Sequence, residues 1–252
     1  MFDLQKASML KRASAWLLDV ILLSVLATGF ALLLSAAFGY DNYNDNLQRY
    51  YTEYEQLYGI DFNISDEEYL ALGEEDRLRY ADAYAKLNDD ADVSRAFSII
   101  IQLSLAIMSL SVLLAYMALE FAVPVWLKNG QTIGKKIFGL AVMRTDSVRV
   151  KPIAMLIRTL LGKYTIETMA PLLIIFLILF GSLGTVGLIM LAALALLQIV
   201  LIAATHTNSA IHDILAQTVV VDMESQMIFD SAREREARRR EYAEADSARW
   251  GQ

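Results

Sequence analysis

Asp19 is the one ionised residue in the apolar run Ala13–Phe38. A carboxylate at membrane depth is costly, so such a residue marks an ion path, a proton relay or an internal ion pair. Arg12 lies seven residues earlier. Two helical turns put both on one face, about 10 Å apart along the axis. Glu120 closes the charge-free run Phe97–Leu119, eight residues before Lys128, and so sits at a similar depth. Two carboxylates at matched depth on neighbouring helices could share a proton or hold a cation. Burial would raise their proton affinity, and Arg12 or Arg158 would lower it. The plainer alternative is a structural ion pair that fixes helix register.

His206 ends the last apolar block, and His212-Asp213 follows. Two histidines and an acid suggest metal, but i,i+6 spacing separates the rings on a helix, unlike the i,i+4 of zinc proteases. No metal site is expected. His212 and Asp213 instead join the polar cluster or cap the next helix. The absence of cysteine removes disulfides, thiolate metal sites and cysteine nucleophiles. Gly130-Gln-Thr-Ile-Gly134-Lys135-Lys136 resembles a phosphate loop, but it is one residue short between glycines and lacks the Ser or Thr after lysine. Nothing in the chain points to an enzyme, a cofactor or a nucleic-acid partner.

The elements that must position these charges are membrane helices. Of the 252 residues, 56% are hydrophobic, against ~45–50% for soluble domains. Ala13–Phe38 and Phe97–Leu119 each meet the roughly 20 residues that a helix needs to cross a bilayer. The third apolar block, Thr168–Thr205, is 38 residues long without a charge, which is about 57 Å as one helix. Its centre, Gly181-Ser-Leu-Gly184-Thr-Val-Gly187, suits a tight turn. The expected spans are therefore 13–38, 97–127, 165–181 and 187–205. Ser35-Ala36-Ala37 resembles a signal cleavage site, but the first run exceeds the ~7–15 residues of a signal core and carries an acid, so it reads as a retained span.

Seventeen of the 22 basic residues fall in 1–12, 128–164 and 206–252, and five in 39–96 against fifteen acids. The positive-inside rule makes both termini and the middle loop cytoplasmic, in a multi-pass cell-membrane protein. The segment 39–96 becomes an acidic extracytoplasmic cap holding nine of the twelve tyrosines. Ser65-Asp-Glu-Glu68 fits a capping box, a second helix is expected through Arg77–Leu87, and Tyr50, Tyr54, Leu57 and Tyr58 form a helical face. Asn63-Ile64-Ser65 matches the short glycosylation sequon.

On the cytoplasmic side, Leu140–Met143 and Thr218–Val221 are β-prone and are expected to pair, drawing Asp213 under spans one and two. Pro152–Lys163 reads as an interfacial helix. Ser231–Arg249 reads as a solvated charged helix. The fold class is all-α membrane: a four-span bundle with a helical extracytoplasmic cap and a small cytoplasmic β pairing.

Three pieces together resemble the RDD family of bacterial and archaeal membrane proteins. They are Lys11-Arg12-Ala-Ser-Ala-Trp-Leu-Leu-Asp19, the stretch Gly130–Val142, and Ala210-Ile-His-Asp213 with the run to Val221. The arginine and two aspartates that name the family map onto Arg12, Asp19 and Asp213. The resemblance implies a candidate transporter, with cation–proton exchange proposed for some members. Here the loop between the first two spans is longer than usual, and the last apolar block holds two spans.

The expected function is a small transporter or cation/proton-coupled permease working through Arg12, Asp19, Glu120 and Asp213, with Arg158, His206 and His212 in support. The alternative is a non-transporting scaffold or sensor whose Tyr-rich cap, residues 39–96, binds an extracytoplasmic protein. The bilayer is the expected environment, and a homo-oligomer would suit transport by so few spans.

Overall fold

A computed structural model describes residues 6–250. Among the described residues, four helices are long and apolar enough to cross a membrane: α1 (Met9–Phe38), α5 (Ala91–Leu127), α7 (Pro152–Leu179) and α8 (Gly184–Ala204). Between α1 and α5 lie α2 (Tyr40–Tyr58), α3 (Asp66–Ala71) and α4 (Glu74–Asp89). After α5 come α6 (Ile133–Ile137) and β1 (Leu140–Arg144), and after α8 come α9 (Ile211–Leu215), β2 (Thr218–Asp222) and α10 (Ala232–Trp250). The chain divides into two compact units, one of residues 1–28 with 112–252, the other of residues 29–111.

The apolar block after Thr168 does break at its glycines. Helix α7 stops at Leu179, and Gly181 takes φ +70°, a left-handed conformation that a side chain would oppose. Upstream the structure differs from the sequence reading. No interfacial helix stands apart from a span beginning at 165; one helix runs unbroken from Pro152 to Leu179. It holds together by widening. Residues Ile157–Met169 are π-helical, as are Met117–Ala122 of α5, with bonds such as Ala170 N–H to Thr165 C=O and Val123 N–H to Ala118 C=O. Each widened stretch ends just before a proline, Pro171 or Pro124, whose missing N–H breaks the ordinary i→i−4 ladder. The Thr165 and Thr168 hydroxyls donate to the carbonyls of Leu160 and Lys163, five residues back.

The expected β pairing is present. β1 and β2 run antiparallel with Leu140 opposite Asp222 and Val142 opposite Val220. Alternation gives the ribbon two buried faces. Leu140, Val142 and Val220 pack with Ala7 and Ala15, whereas Ala141, Met143, Val219 and Val221 pack with Ile228. The ribbon thereby fixes the start of α1, and Lys11 adds an ion pair to Asp222 at 2.6 Å.

In the unit of residues 29–111, Leu47, Leu87, Val93, Ala96 and Ile100 form a core flanked by Tyr40, Tyr50, Tyr51 and Tyr54. Ser65 caps α3 in the expected box: its N–H donates to Glu68 at 2.8 Å and its hydroxyl accepts from the Glu68 N–H at 3.3 Å. Tyr50 and Tyr54 take the inward face assigned to them, but Leu57 is 74% exposed. Much of the tyrosine face is thus spent on this unit's own packing.

Candidate polar network and cavity

Helix α1 buries two residues, Ala15 and Asp19, one turn apart; most of its large apolar side chains are exposed. What covers Asp19 is the short helix α6. Thr132 caps that helix, its hydroxyl accepting from the Lys135 N–H at 3.3 Å while donating to Asp19 Oδ2 at 2.5 Å. The Gly134 N–H donates to Asp19 Oδ1 at 2.8 Å, and Lys135 Nζ lies 3.5 Å from Oδ2. A side chain at 134 would collide with the Ala15 carbonyl and the Asp19 carboxylate. The motif that fails as a phosphate loop therefore serves as a carboxylate clamp built from a helix N-terminus, which favours negative charge.

Asp213 is held separately. Helix α9 presents it at its third position, where Oδ2 accepts from the Ala210 N–H at 3.3 Å. Arg158 Nη1 meets Oδ1 at 2.7 Å, and Arg12 Nη2 approaches Oδ2 at 3.6 Å. Thr218, at the start of β2, donates to Oδ1 at 3.2 Å, and Arg158 also donates to that hydroxyl at 3.0 Å. The third long helix, rather than span two, is thus what pairs with Asp213 alongside α1. Burial alone would raise the Asp213 carboxyl, but Arg158, the His212 ring and Arg12 outweigh it and hold the group well below the usual carboxylate range.

Glu120 has a different ion-pair partner from Asp19. It pairs with Lys163 Nζ at 2.5 Å, and Thr159 donates to its backbone carbonyl at 2.8 Å. Lys135 stands in the field of both Asp19 and Glu120. Burial foremost, then repulsion from Lys163, pulls the Lys135 ammonium down to about 8, against the two acids that raise it.

His212 closes the network. Its Nδ1 is 2.8 Å from both Glu167 oxygens, and its backbone N–H donates to the same carboxylate at 3.2 Å. Gln198 of α8 donates to Glu167 at 3.2 Å and accepts from the Ile211 N–H at 3.2 Å. Burial foremost, then Arg158 and Lys163, lower the ring's proton affinity, against Asp213 and Glu167, which raise it. Helix α9 can approach α7 this closely because residue 162 is glycine; a β-carbon there would stand 2.6 Å from His212 Cα.

Of the residues singled out in the sequence, Arg12, Asp213, Arg158 and His212 meet directly. Asp19 and Glu120 have their own partners, and Arg158 is central rather than supporting. His206 is exposed in the turn after α8 and takes no part. Sequence reasoning passed over Thr132, Lys135, Lys163, Glu167 and Gln198. Glu167 had a signal: an acid two residues inside an expected span deserves the weight given to Asp19.

A cavity of about 360 Å³ opens between the first half of α1 and the end of α8. Arg12, Asp19, Lys135, Arg158 and Lys163 reach its wall, along with apolar side chains such as Trp16 and Ile202.

The family model of the RDD family matches residues 6–217, which contain every charge of this network. No curated protein and no solved structure matches the chain.

Proposed function

Because the chain belongs to the RDD family, we propose that it is a small proton-coupled permease of the cell membrane with both termini in the cytoplasm. The basic residues gathered in 1–12, 128–164 and 206–252 support that orientation. It puts the polar network near the cytoplasmic face.

The observation that carries the reading is the Lys135–Asp19 pair on the cavity wall. Lys135 is held at about 8, close enough to cellular pH to exchange a proton with water in the cavity. Charged, it neutralises Asp19 and helps clamp α6 to α1. Once it gives up its proton, Asp19 keeps only the Thr132 hydroxyl and the Gly134 N–H, and the clamp loosens. Proton release and a change in cavity access are then one event. Each of the four acids of the network already has an N–H or ammonium partner, which favours proton traffic over capture of a metal cation.

The test is proton flux into sealed vesicles containing the protein, read with an internal pH dye under an imposed pH gradient. Wild type is expected to exceed empty vesicles, and Asp19→Asn to lose at least nine-tenths of that excess. Wild-type flux equal to empty vesicles, or an undiminished Asp19→Asn, refutes the reading.

A further inference from the structure

The charges that line the cavity are unbalanced in a way that the whole network is not. Arg12, Lys135, Arg158 and Lys163 reach its wall, with one acid, Asp19. Glu120 and Asp213, which pair with Lys163, Arg158 and Arg12, stand behind the wall rather than in it. Two guanidiniums also share a single carboxylate, Asp213, and Arg12 holds the looser contact at 3.6 Å against 2.7 Å for Arg158. One guanidinium there lacks a close carboxylate: Arg12, whose Nη1 donates instead to the Thr207 carbonyl at 3.2 Å, a single neutral acceptor that an anionic head would displace.

The rest of the wall is apolar. Met9 and Trp16 stand at the mouth on α1, 49% and 63% exposed, and Ile202 faces them from α8. Both helices are otherwise clothed in exposed aliphatic side chains, such as Leu17 and Ile199. The mouth therefore opens where lipid tails lie, and the cations lie at its inner end. At about 360 Å³ the cavity falls in the ~300–1,000 Å³ range of small-molecule sites.

We propose that this cavity binds an anionic amphiphile, a carboxylate or phosphate head on an apolar tail, with the head at Arg12 and Arg158 and the tail along Trp16 and Ile202. Arginine suits such a head because its planar fork matches two oxygens at once. The proposal names the substrate class of the permease and rests on that reading for transport, but not for binding.

Binding is measured on the full chain in neutral detergent, with Trp126 and Trp250 changed to Phe so that Trp16 is the sole tryptophan. The probe is a brominated medium-chain fatty acid, which quenches indole fluorescence on contact. Saturable quenching is expected, at least tenfold tighter than for a brominated alkyl-trimethylammonium of equal length. Acetate at matched concentration should not displace the probe. Arg12→Gln should weaken binding tenfold or more. Ala13→Phe, which fills the cavity from an exposed helix position without touching a charge, should abolish it while thermal unfolding stays unchanged. Equal quenching by the cationic amphiphile, displacement by acetate, or wild-type affinity in Ala13→Phe overturns the proposal. Brominated phosphatidylglycerol in nanodiscs separates the sources: quenching there assigns the head to a membrane lipid, and quenching by the free fatty acid alone assigns it to a single-chain anion. Lost binding with intact proton flux sinks this inference alone; intact binding without flux sinks the permease alone.

Discussion

Gly134 donates its backbone N–H to Asp19 Oδ1 at 2.8 Å across 115 positions of sequence, and it can do so because it has no side chain. A β-carbon at 134 would also stand 2.8 Å from that oxygen. Gly134→Ala must therefore push α6 off α1, at a cost of about 1–3 kcal/mol by analogy with overpacked sites. Gly29, also in α1, has nothing within 4 Å of its would-be β-carbon. Gly29→Ala is expected to be neutral or slightly stabilising, since alanine is the better helix former. Thermal unfolding of the two variants in detergent checks the contrast, and equal melting temperatures would contradict it.

Arg158 and Arg12 contribute unequally to Asp213. Removing one partner of a buried pair strands the other charge and costs about 3–5 kcal/mol, and Arg158 is both more buried and closer than Arg12. Arg158→Met is expected to destabilise more than Arg12→Met. In double-mutant cycles with Asp213→Asn, the coupling to Arg158 should be the larger. A larger coupling to Arg12 would mean that the side chains are arranged otherwise.

The long apolar elements were legible because charge is swept out of them, and the break at Gly181 because few residues but glycine turn there. The ribbon was legible from two short β-prone runs, Leu140–Met143 and Thr218–Val221. Asp19 stood out as a lone acid in an apolar run. Its partners did not, because Gly134 and Lys135 sit on, and Thr132 caps, a five-residue helix too short to leave a periodic signature. The inward face of α7 was hidden for another reason. In an α-helix, residues 158 and 163 point about 140° apart, but the π-helical turn brings both inward to different acids. Glu120 was legible as a buried acid and misassigned in partner, since depth along a helix says nothing about rotation.

Two titrations follow from the network, and in each stability rises with pH, in different windows. Lys135 is held at about 8 in the fold, against roughly 10.4 in an unfolded chain. Between those values the unfolded chain binds the extra proton, so stability rises with pH, by roughly 3 kcal/mol over the full window. Unfolding temperature is expected to climb from pH 8 towards pH 10 in wild type, relative to Lys135→Met. Asp213 has a dependence of the same sign in the acid range. Its carboxyl is depressed, so its contribution is complete above the unfolded value of roughly 3.9 and is lost as pH falls below it. Asp213→Asn should flatten that acid limb. A parallel pH profile of wild type and either variant would contradict the corresponding assignment.

Proton coupling through Lys135 is tested most directly by Lys135→Arg, which keeps a cation on the cavity wall but cannot release its proton near neutral pH. Proton flux into vesicles is measured for wild type and variant from pH 6.5 to 9, with thermal unfolding to verify the fold. Wild-type flux should change most steeply around pH 8, and the folded variant should lose both the flux and that pH dependence. A folded Lys135→Arg protein that moves protons at the wild-type rate, with the same profile, would contradict the account.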